Sequence, residues 1–185
     1  MMGAEARVYL PNRFTDGYGP NESVYKYFIE QEGISLIVTV DNGVAGNEAI
    51  AYAQEQGVDV IVTDHHSMPA QLPDAYAIVH PEHPDADYPF KYLAGCGVAF
   101  KLATALLETI PTEMLDLVAI GTIADMVSLT DENRIMVKVG LEILKTTERI
   151  GLQELLRISD VDPTTISEET VGFKLAPQLN AWDAR

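Results

Sequence analysis

Two β-branched runs separated by one amphipathic segment constrain this chain more than anything else in it. Residues 34–40 read ISLIVTV and residues 58–63 read VDVIVT. Near-continuous runs of this kind suit strands covered on both faces, as in a parallel sheet. Between them, Ala45, Ala49, Tyr52 and Ala53 fall at helical spacing within residues 45–56, and Gly57 closes the segment. Strand, helix and strand with short connections make a βαβ unit, so the expected class is α/β, a parallel sheet flanked by helices with Rossmann-like winding. Residues 6–10 (ARVYL) read as an earlier strand, stopped by Pro11-Asn12. Residues 23–31 read as a helix with Val24, Tyr27 and Phe28 on one face, and 75–79 as a short strand ending at His80-Pro81.

After a loop over 81–92 the pattern turns helical. Helices are expected over 95–107, with Leu102, Ala105 and Leu106 on one side, then over 113–123, 133–145 and 152–158. Ser167 followed by two glutamates has the form of an N-cap. The division is thus a sheet part over about 1–92 and a mostly helical half over about 93–185, packed as one unit.

Composition narrows the class further. Hydrophobic residues make up 47% and charged residues 22%, a balance that builds a core and excludes disorder. The lone Cys96 cannot form an internal disulfide, which suits a reducing cytoplasm and a buried structural thiol. No apolar run approaches bilayer length, and MMGAE at the start is no signal peptide, so no membrane is expected. Twelve Lys+Arg against 28 Asp+Glu leave a net charge of −16. A nucleic-acid binder relying on phosphate neutralisation alone would carry the opposite sign. Carboxylates converging on divalent metals invert the local field, whereas the plain alternative is solubility.

In open parallel sheets ligands bind beyond the carboxyl ends of the strands. Asp41 follows the first run directly, and Asp64-His65-His66 follows the second, so adjacent strands would project both groups from one edge. Carboxylates with imidazoles suit Mn²⁺ or Mg²⁺, and two such ions can hold a water and clamp a phosphate. Asp125, in apolar company over 121–127, is the third candidate. Each has a simpler reading: Asp41-Asn42-Gly43 as a turn, Asp64 as a helix cap, Asp125 as the exposed end of a helix. His80 and His83 read as surface residues of a Pro-rich loop. Gly95 and Gly97 before a helix either offer N–H groups to an anion or mark a close-packing turn. Arg13 beside Tyr18 suits a phosphate with a stacking platform, or an ordinary surface loop.

Taken in order, TVDNG (39–43), TDHH (63–66) and GTIAD (121–125) resemble the motifs of the DHH phosphoesterase superfamily. DGYG (16–19), GCGVAFKL (95–102) and NRIMVK (133–138) place the resemblance in its branch of single-stranded-DNA-specific exonucleases. The resemblance implies that Asp41, His65 and Asp125 are metal ligands, that His66 lies beside the scissile phosphate, and that Asp64 supports the shell. It implies a two-ion Mn²⁺ or Mg²⁺ hydrolase releasing nucleotides from a 5′ end of single-stranded DNA in recombination and repair, with repair or replication proteins as possible partners. Arg13, Tyr18, Gly95, Gly97, Asn180 and Arg185 are the candidate substrate contacts. Alternatives within the superfamily are a phosphodiesterase of short oligonucleotides or cyclic dinucleotides and a non-catalytic scaffold.

Two departures from the family pattern shape the expectation. Its first motif, an Asp-x-Asp pair, would precede Ala6, where only five residues stand. LAPQLNA (175–181) resembles the closing motif, but Trp182-Asp183-Ala184-Arg185 follows where the family has x-Gly-Arg. The chain is therefore expected to be part of a DHH catalytic domain, weakly active or inactive by itself.

Overall fold

The computed structural model describes residues 3–12 and 14–183, with side chains up to Asn180. Its residues form two compact units, 1–91 and 92–185.

The first unit holds α1 (Glu22–Glu32), β1 (Leu36–Val40), α2 (Asn47–Glu55), β2 (Asp59–Thr63) and β3 (Ala77–Val79). The strands form one parallel sheet in the order β1-β2-β3. Asn21 starts α1 by accepting hydrogen bonds from the Ser23 and Val24 N–H groups, and Gly33, at φ 64°, ends it. The α2 helix lays Ala49, Ile50 and Ala53 against Val60 and Val62 of β2, with Tyr25, Val44 and Val58 completing the core.

The register places the strand ends level. Val40 pairs with Thr63 and Thr63 with Val79. The next residues, Asp41, Asp64 and His80, therefore leave the sheet side by side at its carboxyl edge.

Two local expectations are corrected. Residues 6–10 are not a strand: Val8 and Leu10 are exposed, and Tyr9 instead meets Phe28 edge-to-face at 5.2 Å and donates its hydroxyl hydrogen to Asp16 at 2.6 Å. β-branched character cannot make a strand without a partner to complete the ladder, and among the described residues 6–10 have none. The β1 strand is not covered on both faces: Leu36, Val38 and Val40 alternate onto one face and are about half exposed. On α1, Tyr25 is the buried residue and Val24 and Phe28 are partly buried.

The second unit is helical: α3 (Gly95–Leu107), α4 (Leu115–Ala124), α5 (Asp131–Leu144), α6 (Ile150–Ile158), α7 (Glu168–Thr170) and α8 (Ala176–Asp183), the last two joined through a π turn, Val171–Leu175. The α3 helix buries its first turns through Gly95, Gly97, Val98 and Phe100, whereas Leu106 near its end is exposed. The central α4 has buried residues all round, Leu115, Val118, Ala119, Ile120, Thr122 and Ile123 among them. It can be central only because its neighbour comes very close. A Cβ on Gly140 of α5 would stand 2.1 Å from the Leu115 carbonyl oxygen and 2.6 Å from Ala119 Cβ. The buried Asp116 carboxylate is matched by Arg149 Nε at 2.9 Å and the Thr147 hydroxyl at 3.2 Å.

Two substitutions test this packing by urea denaturation. Gly140→Ala is expected to cost about 3 kcal/mol or more, because a backbone carbonyl cannot step aside; a loss under about 1 kcal/mol contradicts the close approach. Tyr25→Phe is expected to be neutral or slightly stabilising, since the buried Tyr25 hydroxyl has no hydrogen-bond partner among the described residues.

Candidate metal centre

The β1–α2 loop is built to turn at once after the strand. Asp41 adopts a left-handed conformation at φ 62°, a region aspartate tolerates better than most residues. Its N–H donates to the Thr63 carbonyl at 2.9 Å, and the Thr39 hydroxyl donates to the Asn42 carbonyl at 2.6 Å. Gly43, at φ 123°, passes so close to β2 that a Cβ would stand 2.8 Å from Thr39 Oγ1 and 2.9 Å from Val62 Cγ1. The Asp-Asn-Gly run is thus a turn as well as a site, and the turn aims the carboxylate.

Asp64 is the fixed point of the edge. It is 1% exposed, yet every bond it makes is accounted for. One oxygen accepts from the Val44 N–H at 3.0 Å, across the β1–α2 loop. The other accepts from the His65 N–H at 2.7 Å, the His66 N–H at 3.1 Å and the His66 ring at Nδ1, 2.7 Å. Burial alone would push this carboxyl up. The hydrogen bonds from Val44, His66 and His65 outweigh it and hold the group below the usual carboxylate range. Because Asp64 is ionised it can only accept, so His66 carries a proton on Nδ1, and in the neutral ring Nε2 is then the bare nitrogen, turned outward.

Asp41, His65 and His66 then converge, each offering a ligand atom within 4.8 Å of the others. His65 Nε2 stands 3.0 Å from Asp41 Oδ1. His66 Nε2 faces the Tyr18 hydroxyl at 3.3 Å, and the Tyr18 ring is 80% exposed beside it. One carboxylate oxygen and two imidazole nitrogens are a mixed O/N donor set, which fits Mn²⁺.

Other residues singled out in the sequence belong to the second unit or lie outside the described residues. Asp125 is in the second unit at the C-cap of α4, exposed rather than in an apolar setting. Gly95 and Gly97 are buried in the first turn of α3, where a Cβ on Gly97 would touch Leu93 at 3.4 Å, and Asn180 is exposed on α8. Arg13 and Arg185 lie outside the described residues. Cys96 is half-buried, with Sγ 3.5 Å from the Val118 carbonyl oxygen.

His80 is a correction. Read from the sequence as a surface residue, it is 5% exposed, donates from Nε2 to the His66 carbonyl at 2.8 Å and accepts at Nδ1 from the Glu82 N–H at 3.0 Å. Its position directly after a short strand, like Asp41 and Asp64, was the signal for its role.

Comparison with known proteins follows this geometry. The DHH family, N-terminal domain, matches residues 1–122, which include the whole strand edge. The chain belongs to the DHH family. It is 55% identical over 180 residues to the single-stranded-DNA-specific exonuclease RecJ of Bacillus subtilis, covering 97% of this chain and 23% of that protein. It is 36% identical over 186 residues to RecJ of Thermus thermophilus, covering 97% and 26%. The chain thus spans about a quarter of the length of these relatives. A crystal structure of exonuclease RecJ bound to manganese superposes with a TM-score of 0.81 at 35% identity, covering 95% of this chain and 44% of that one. RecJ of Thermus thermophilus in complex with Mn²⁺ superposes with a TM-score of 0.73 at 34% identity, covering 85% and 24%. No helix among the described residues is long and apolar enough to cross a membrane.

The edge makes two predictions. Asp64→Asn turns one acceptor oxygen into a donor facing backbone N–H groups, and should cost roughly 1–3 kcal/mol in urea unfolding; an unchanged midpoint contradicts its role. Burial also pushes the His80 imidazole below its ordinary value, against the opposing pull of the His66 carbonyl and of Asp64. The unfolded chain therefore binds that proton first. Stability present above about pH 6.5 is lost as pH falls through that value. His80→Gln should flatten the stability slope between pH 7 and 5, and an unaltered slope contradicts the shift.

Proposed function

We propose that this DHH-family chain carries the metal-binding edge of a divalent-metal-dependent phosphodiesterase acting 5′ to 3′ on single-stranded DNA, in cytoplasmic recombination and repair. The observation that carries the reading is the convergence of Asp41, His65 and His66 at level strand ends. Its support is the match to relatives named single-stranded-DNA-specific exonucleases and to a RecJ structure described as bound to manganese.

In this reading Asp41 and His65 are ligands to Mn²⁺ or Mg²⁺, and Asp125 is a third. An acid at a helix C-terminus sits against the helix dipole, a placement that a bound cation offsets. When bound, the metal lowers the pKa of a coordinated water and neutralises phosphate charge. Three protein donors leave much of a six-ligand shell to water and phosphate oxygens. The protein's own contribution is orientation. Asp64 holds the His66 ring through Nδ1 and so fixes its direction beside the Asp41–His65 pair, and the exposed Tyr18 ring next to it offers a nucleobase a stacking surface. Arg13, Gly95, Gly97, Asn180 and Arg185 are assigned to substrate contact, with single-stranded DNA as the partner. A concentrated metal charge also reconciles a −16 chain with a polyanionic substrate.

Mn²⁺ titration followed by electron paramagnetic resonance tests the site on this chain. Binding is expected to weaken about tenfold or more in both Asp41→Asn and His65→Ala. Equal binding by the chain and both variants would sink the assignment. With the metal site established, a series of single-stranded DNA lengths separates an exonuclease from an enzyme of dinucleotides, since only the former degrades long strands efficiently.

A further inference from the structure

The third strand contributes to this edge through a residue that touches none of the candidate ligand atoms. His80 follows Val79 directly, and Val79 is level with Thr63, so His80 stands beside Asp64 at the end of the sheet. Backbone pairing continues the alignment, with the Asp64 N–H donating to the Val79 carbonyl at 3.2 Å. The buried imidazole is fully committed. Because Nδ1 accepts from the Glu82 N–H, the ring proton resides on Nε2, and that proton goes to the His66 carbonyl at 2.8 Å.

We infer that His80 is a positioning residue of the metal centre, locking the backbone of the Asp64-His65-His66 turn so that both imidazoles hold their directions. The inference rests on the metal-site reading above. Asp64 restrains the same turn from the inside, through the His65 and His66 N–H groups. His80 grips it at a different group, the His66 carbonyl. With only one of these grips, the turn keeps freedom to rotate about the other. A ligand loop held at both points loses little entropy on binding an ion, and supporting groups of this kind commonly change metal affinity by about 10–100-fold.

His80→Leu fills the space without either hydrogen bond, whereas His80→Gln places an amide nitrogen near the position of Nε2 and keeps the donor. Two readouts are taken on the 185-residue chain: Mn²⁺ affinity by electron paramagnetic resonance, and metal-free amide hydrogen exchange at His65 and His66 relative to Val60 and Val62. His80→Leu is expected to weaken Mn²⁺ binding about tenfold and to speed exchange at His65 and His66 selectively. His80→Gln is expected to restore both to within about threefold of the parent. The inference is overturned if His80→Leu leaves both readouts unchanged. It is equally overturned if both variants lose affinity and exchange protection uniformly, in step with global stability. A parent chain that binds no Mn²⁺ removes the metal-site reading and this inference together, whereas binding that survives in His80→Leu removes the inference alone.

Discussion

One buried carboxylate organises the functional edge of this protein. Asp64 accepts from Val44 on one loop and from His65 and His66 on another, so its two oxygens tie together the chain segments that leave β1 and β2. A carboxylate this deep is tolerable only because every lone pair that points at protein meets an N–H, and those same bonds keep it ionised. Its charge then propagates outward. It fixes a proton of His66 on the inner nitrogen and turns the outer nitrogen toward Tyr18 and the Asp41–His65 pair. Remove the negative charge and the inner nitrogen need no longer carry the proton.

The geometry works because the sheet is parallel and its strands end level. Register alone delivers Asp41, Asp64 and His80 to the same height, and Gly43 lets the first loop press onto β2 closely enough for Val44 to reach Asp64. In the second unit the corresponding constraint is Gly140, whose missing side chain admits α4 to the centre of the helical packing and so fixes the helix that ends at Asp125.

Much of this was legible in the amino-acid pattern. The runs at 34–40 and 58–63 did become adjacent parallel strands, because β-branched residues flanking an Ala-rich helix have few other ways to bury themselves. Asp41 and the 64–66 run could be assigned to one edge for the same reason. What escaped was whatever depends on partners distant in sequence. Residues 6–10 have strand composition without a strand neighbour among the described residues, and one face of the apolar β1 is about half exposed. His80 was read as exposed because Pro81 and Pro84 beside it signal a loop; the two hydrogen bonds that bury it come from backbone groups that no local pattern reveals.

The most direct measurement is the tautomer of His66, by long-range ¹H–¹⁵N correlation NMR on the metal-free chain near neutral pH. An ionised, buried Asp64 requires a proton on His66 Nδ1 and a fixed ring orientation, and in the neutral ring that leaves Nε2 bare. A His66 protonated on Nε2 in the neutral form, or a ring averaging between both tautomers, would contradict the claim that Asp64 sets the chemistry of this edge.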